Sequence, residues 1–362
     1  MSRQNAFPLL LLTVSALPAQ ETPVFRAGTS LILVPFHVAH NNTYVSSLKA
    51  DDVQLLEDGV VRKFSVFEFA GSTKRQVDLV LLFAYGCTLL QTGMFDPLVF
   101  KSGLLDGIDN TRLAVYGFGS DLRRYCRPTR DMAVFEPALR ALIQRRPASQ
   151  IKLQLPPKRK GSPNSETWLY EAVAAAAADA TPRPAVHSSI SFAPGAGAAR
   201  DSTQGNVLMM VFSDGIPTTT SIPEDAAEVC RLSGIPVYPV VLCHDRVLDQ
   251  IKRLQESGRD RQGNFTAAAN SRMMELRATE RAIQDFARLG DLTGGRSFDT
   301  PTVSLQVMRQ ILAFMVGQVR NQYLVGFVPD PPIGPPRQHK LEVRLLDKNL
   351  GKVVGGTRTA VH

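Results

Sequence analysis

The sequence predicts an α/β protein: a doubly wound, mainly parallel sheet joined to a small β-rich module built from strands near both ends of the chain. Three observations point there. Short continuous apolar runs recur at 79–83, 113–118, 207–212 and 235–242. Helix-like stretches separate them, at 133–143, 168–178, 223–232 and 280–289, with a last one at 303–322. Strand-like segments precede the first run and follow the last helix. Strands buried on both faces read as unbroken apolar runs, and their alternation with helices implies a parallel sheet covered on both sides.

The chain has 362 residues, enough for about two domains. Residues 1–19 read as an export signal: Arg3 is the positive region, 6–12 is a short Leu-rich run, and Ala16 and Ala19 are small residues before Gln20. That run is too short to span a bilayer, which needs about 20 apolar residues, and no other stretch is apolar for long enough. The expected location is therefore secreted, periplasmic or otherwise in the cell envelope, with no transmembrane segment in the mature chain. An N-terminal β module is expected over 24–72. Within it, Glu57-Asp58-Gly59 separates two strand-like runs and reads as a tight hairpin turn, because Asp and Gly tolerate positive φ. Two carboxylates at such a turn suit calcium in principle, but the further oxygen ligands calcium takes are not evident nearby.

The α/β domain is expected over 76–322. Three polar, Pro-, Gly- or Ser-rich interruptions, about 146–165, 181–205 and 255–272, read as mobile surface insertions. Strands over 323–347 are expected to pack back on the N-terminal module.

Composition narrows function. With 44% hydrophobic and 20% charged residues the chain is ordinary globular material, neither disordered nor collagenous. The net charge of +8 includes the run Lys158-Arg159-Lys160, but basic and aromatic residues do not interleave, so nucleic acid is not an expected partner. Four cysteines (Cys87, Cys126, Cys230 and Cys243) allow three disulfide pairings, among which the sequence does not choose. Cys243-His244-Asp245 reads as a short polar loop after a strand rather than a metal site, since no second ligand pair has suitable spacing. No G-x-S-x-G follows a strand, and G-x-x-x-x-G-K-[ST] is absent. Gly195-Ala196-Gly197 lies in a Pro/Ala-rich segment, away from any strand-to-helix turn. No catalytic residue is assigned, and the chain is expected not to be an enzyme.

In an open parallel sheet, ligands sit beyond the carboxyl ends of the strands. After the run 207–212 comes Ser213-Asp214-Gly215, which places a carboxylate there. It serves either as a ligand group or as a turn leading into the next helix.

The chain resembles the von Willebrand factor A-type (vWA) superfamily, and more closely the secreted VWFA-related family described from Acidobacteria. The resemblance spans about 24–347. It rests on Leu55-Leu56-Glu57-Asp58-Gly59 with Phe64 and Phe67, Val77-Asp78-Leu79-Val80-Leu81-Leu82, Ser213-Asp214-Gly215, Ile235-Pro236-Val237-Tyr238, Thr293-Gly294-Gly295-Arg296 and Gln322-Tyr323-Leu324-Val325-Gly326. It implies a vWA/Rossmann-like sheet with a metal-ion-dependent adhesion site at its top, built from an Asp-x-Ser-x-Ser loop after the first strand, a later Thr and an Asp after the fourth strand. A partner's acidic side chain completes the metal shell. Carried onto this sequence, Ala84 stands where the first Asp belongs, Gly86 and Thr88 fall on the two Ser, Thr167 on the Thr and Asp214 on the last Asp. One carboxylate and two hydroxyls make a degenerate site, so Mg²⁺ is expected to bind weakly or not at all. Asp78, at the other end of the strand, is too far away to substitute. Ala84, Gly86, Cys87 and Gly215 are expected to line the binding rim. Cys87 is a reactive thiol, a disulfide partner or an inert buried residue. The function implied is non-catalytic protein binding or adhesion. An envelope scaffold with no ligand at the rim, and a hydrolase of unrecognised type, are the alternatives. The partner, oligomeric state and final compartment are not legible in the sequence.

Overall fold

The computed structural model describes residues 32–361 except 42, 70–75, 87–92, 152–166, 182–205, 243, 260–261, 300–303 and 331–336. The segment expected to be an export signal, residues 1–19, and most of the insertions expected at 146–165 and 181–205 lie outside the described residues.

Five strands come first among the described residues: β1 (Ile32–His40), β2 (Thr43–Tyr44), β3 (Val53–Glu57), β4 (Val60–Arg62) and β5 (Val66–Phe69). The β3–β4 turn is the hairpin expected from Glu57-Asp58-Gly59, with φ of 49° at Asp58 and 84° at Gly59. Its carboxylates are taken up by protein groups rather than gathered for a cation. Glu57 accepts from Arg62 at 2.6 Å, and Asp58 accepts from the Lys340 N–H and pairs with His339, both at 2.8 Å.

The core then runs β6 (Val77–Ala84), α1 (Pro97–Phe100), β7 (Thr111–Phe118), β8 (Leu122–Thr129), α2 (Met132–Ile143), β9 (Ser149–Ile151), α3 (Leu169–Ala180), β10 (Asn206–Ser213), α4 (Pro223–Ser233), β11 (Val237–Val241), α5 (His244–Ser257), α6 (Ala267–Thr293), β12 (Phe298–Asp299) and α7 (Leu305–Arg320). Its seven-stranded sheet has the order β12-β11-β10-β6-β7-β8-β9. The strands β6, β7, β10, β11 and β12 are parallel, while β8 and β9 join antiparallel at one edge. Leaving aside the short edge strand β9, the order is that of a doubly wound sheet, with the switch point between β6 and β10. The fold class is the doubly wound, mainly parallel α/β one expected from the sequence.

Every residue of β6 is buried. Leu79, Leu81 and Phe83 face one layer, with α1, α2 and α7. Val80, Leu82 and Ala84 face the other, with α3, α4 and α6. The Ala-rich α3 buries Ala172, Val173, Ala176 and Ala177 completely, so its backbone lies close to the sheet. Cys126 belongs to the first layer and Cys230 to the second, and both are free thiols. The sheet stands between them, which removes the Cys126–Cys230 pairing. Cys87 and Cys243 lie outside the described residues.

The chain closes with β13 (Tyr323–Phe327), β14 (Gln338–Leu345), β15 (Lys352–Gly355) and β16 (Thr357–Val361). β13 pairs with β1 and β5, β14 with β3, and β15 with β1, so strands from both chain ends interleave in two small sheets. Tyr323 packs against Phe36, Phe67 and Phe69, with ring centroids 4.9–5.6 Å apart.

Two expectations are corrected, and one strand has no counterpart in the sequence reading. The strands continue past 347, because β15 and β16 complete the two small sheets. Residues 122–129 form a strand although Arg123, Arg124 and Arg127 break the apolar pattern; β8 is partly exposed, and the pattern reflects that position. The polar stretch 255–272 is helical at both ends, since α5 runs to Ser257 and α6 begins at Ala267. Only His244 of α5 is buried, so its polarity marks an outer-layer helix rather than a mobile insertion.

Candidate functional site

The carboxyl ends of β6 and β10 lie side by side, with Phe83 opposite Phe212 in register. The loops that leave the two strands therefore converge on one rim. After β10, Ser213 is fully buried and its hydroxyl accepts the Gly215 N–H at 3.1 Å. Gly215 takes φ of 77°, and a Cβ there would fall 3.0 Å from Phe286 Cδ1. Glycine is needed at this turn both for the left-handed conformation and for the approach of α6. The turn brings Asp214 out half-buried. Its Oδ1 accepts the Ile216 N–H at 3.3 Å. Burial raises the Asp214 carboxyl above its ordinary value, against the bonds from Ile216 and Ser213 that lower it.

Two loops are tied together above this point. The Thr167 N–H donates to Thr218 Oγ1 at 2.7 Å, and the Thr218 N–H returns to the Thr167 carbonyl at 3.0 Å. Glu171, in the first turn of α3, accepts from Ser221 Oγ at 2.6 Å and from Thr219 Oγ1 at 3.2 Å. The Trp168 N–H reaches the Gly119 carbonyl at 2.9 Å, which adds the β7–β8 turn to the same rim. On the β6 side, a Cβ at Gly86 would lie 3.9 Å from Thr167 Oγ1.

The structure thus brings Gly86, Thr167 and the loop after Asp214 to one end of the sheet. Ala84 and Gly215 are at that end too, but both are buried and shape the rim from beneath. Thr88 and Cys87 lie outside the described residues. Thr218, Thr219, Ser221 and Glu171 were not picked out in the sequence. The hydroxyl-rich run Thr218-Thr219-Thr220-Ser221, a few residues after Asp214, was the available signal. Asp78 stands at the amino end of β6, where Arg112 grips both its oxygens at 2.7 Å, so it takes no part in the rim.

The donor set can be tested against a divalent cation. Ala84 brings a methyl where the resemblance has a carboxylate, and Asp214 Oδ1 is engaged by its own loop. Among the described residues no three His, Cys, Asp or Glu side chains gather as a ligand group. The described residues do not fit a full cation site.

A second polar pair lies further along the same end. His244 opens α5 instead of sitting in the polar loop expected for Cys243-His244-Asp245, and its Nδ1 meets the Asp299 carboxylate at 2.8 Å. Its Nε2 is buried, away from any solvent-borne substrate.

No protein-family model matches the sequence, and no curated protein matches it. Solved structures do. BatB from Bacteroides thetaiotaomicron, described as a conserved hypothetical protein, has 17% identity and a TM-score of 0.36, with 67% of this chain and 99% of that one covered. An aerotolerance-related membrane protein from Bacteroides fragilis has 16% identity and a TM-score of 0.35 over the same shares. The ArnB paralog VWA2 from Sulfolobus acidocaldarius has 11% identity and a TM-score of 0.35, covering 92% of this chain and 74% of that one. The finer likeness to the secreted VWFA-related family rests on the sequence motifs alone.

Proposed function

We propose that this chain is an exported protein-binding module of the vWA type, and that its contact surface is the rim at the carboxyl ends of β6 and β10. The observation that carries this reading is the reciprocal pair of hydrogen bonds between Thr167 and Thr218. It fixes two loops across the switch point, where open α/β sheets take their ligands. A surface held by such bonds is preorganised, which lowers the ordering cost of association. The partner is a protein that offers polar or acidic side chains to the Thr167 hydroxyl and the hydroxyl-bearing loop that Thr218 holds in place. No bond is made or broken. Ala84 in place of an oxygen donor supports weak or absent Mg²⁺ binding, so recognition runs chiefly through the protein's own groups. Among the described residues no helix is long and apolar enough to cross a membrane.

A pull-down from native envelope, run with and without chelator, tests the reading. One partner is expected to be retained in both conditions and lost with Thr167→Ala/Thr218→Ala. Retention by that double variant would move the contact surface elsewhere. Isothermal titration with Mg²⁺ tests the metal separately: submicromolar binding abolished by Asp214→Ala would overturn the degenerate-site reading.

A further inference from the structure

At the opposite end of the sheet, a cavity lies between the core and the interleaved strands. It holds about 440 Å³ of atom-free space, of which about 30 Å³ admits the centre of a water-sized molecule. Its walls come from the last turns of α4 and α6, the start of β11, the middle of β1 and the β15–β16 corner. Two arginines line it, Arg231 from α4 and Arg358 from β16, with the hydroxyl of Thr357 beside them. No Asp or Glu is among its lining residues.

The arginines are the unusual feature. The Nε of each is buried and has no hydrogen-bond partner among the described residues. Arg358 donates through Nη1 to the Leu33 carbonyl, and neither guanidinium forms an ion pair among the described residues. Elsewhere the described buried or half-buried arginines are matched: Arg112 by Asp78, Arg124 by Asp179 and Arg62 by Glu57. A guanidinium withdrawn from water without a partner is costly, and burial pulls Arg358 below its ordinary pKa. The backbone is nevertheless shaped to keep it there. Gly234 ends α4 with φ of 67°, and a Cβ at that position would come 2.6 Å from Arg358 Cζ. The carboxyl ends of α4 and α6 also favour nearby cations, which helps to hold the positive charge but leaves both Nε groups unbonded. The other titratable groups on the cavity wall are both neutral at physiological pH, His37 because burial lowers it to about 4 and Tyr238 because burial pushes its hydroxyl up, so the cavity's charge belongs to the two arginines.

We propose that this cavity is a binding site for a small oxyanion, a carboxylate or phosphate head whose oxygens accept from Arg231 and Arg358. The free volume suits the inserted oxygens of such a head and no larger group; a single water needs roughly 10–15 Å³ on the same measure. Guanidinium forks match both planar and tetrahedral oxyanions. The site is separate from the rim and independent of what the rim binds.

The test uses the full chain, unfolded by heat in chloride, acetate or inorganic phosphate at matched ionic strength and fixed neutral pH. Millimolar acetate or phosphate is expected to raise Tm by about 2–4 °C over chloride. The response of both anions, or of one, identifies the head. Arg231→Gln, at a half-buried position on α4, is expected to erase the rise, as is Arg358→Gln if it folds. Equilibrium dialysis of labelled phosphate or acetate against the folded Arg231→Gln protein gives a readout free of stability, with retention expected to fall at least tenfold. The proposal is overturned if neither anion exceeds chloride, or if Arg231→Gln responds as the parent does.

Discussion

The two ends of the parallel sheet are built in opposite ways. At the carboxyl end, bonds run between exposed loops: Thr167 to Thr218, and Glu171 to Ser221. At the amino end, buried and part-buried bonds tie the core together and join it to the interleaved strands. His37 Nε2 donates to the Gln318 carbonyl at 2.7 Å, Gln318 bonds Tyr44, Asn206 bonds Gln322, and the Val237 N–H donates to Thr293 Oγ1 at 2.9 Å. Buried polar links are costly to break because they leave a desolvated group without a partner, whereas exposed ones are replaced by water. The amino end should therefore govern stability, and the carboxyl end is free to serve recognition.

The largest expected effect breaks the amino end by volume. Gly295 follows the α6 cap, and a Cβ there would sit 1.9 Å from the Val237 carbonyl oxygen. Backbone on both sides leaves nothing flexible to yield. Gly295→Ala is expected to cost about 3 kcal/mol or more in urea unfolding, while Gly263→Ala, at a glycine with no atom within 4 Å of its Cβ position, costs far less and only through its φ of 84°.

The next effect is a pH dependence. Burial lowers His37 from 6.5 to about 4, against the Gln318 carbonyl that raises it. Between those values the unfolded chain binds the proton and the folded one does not, so stability falls as pH drops from about 6.5 to about 4. The full loss is about 3 kcal/mol. His37→Gln keeps a donor toward Gln318 and should flatten the denaturation midpoint across that window. An unchanged slope would mean that His37 takes its proton without cost and that the seam is softer than argued.

These cases also mark how far the sequence could be read. The sheet was legible because β6 and β10 are buried on both faces, so their residues are apolar without interruption. β8 was not, because it lies beside the short edge strand β9 with Arg123 and Arg124 only half-buried, and α5 was hidden because a helix lying on α6 needs little apolar surface. At the rim, Asp214 was legible through its place after a strand, and Thr167 only through the family resemblance. Thr218 was marked only by its hydroxyl-rich run, and that run does not reveal the bond across 51 residues on which its role depends. The arginine cavity left no signal at all: Arg231 and Arg358 lie 127 positions apart, and their proximity arises only when β16 closes its sheet. The motif Thr293-Gly294-Gly295 was recognised as a likeness, and its physical reason emerges from the fold. Thr293 holds the Val237 N–H, Gly294 caps α6 at φ of 80°, and Gly295 admits the Val237 carbonyl.

A smaller effect is expected at that motif. Thr293→Val keeps the shape and removes the acceptor, leaving the buried Val237 N–H unpaired. The expected loss is about 1–2 kcal/mol by denaturant titration. Thr293→Ser should recover most of it, which separates the hydrogen bond from the lost methyl contact. Equal losses for both variants would assign the site to packing instead.

The smallest effect belongs to the rim and has the opposite sign. The Asp214 carboxyl is raised above its ordinary value by burial, so between the unfolded and folded values the native state holds the extra proton. Stability from this group is then present at low pH and lost as pH rises through the folded value. Asp214→Asn removes that charge and keeps an acceptor for the Ile216 N–H. The variant should be more stable than the parent at pH 7, and the difference should close as the pH falls below the range of an ordinary carboxylate. A variant less stable at pH 7 would mean that the carboxylate is compensated where it sits, by a cation or by a positively charged protein group. The rim would then be an electrostatically closed site, and the contrast between the two ends of the sheet would fail there.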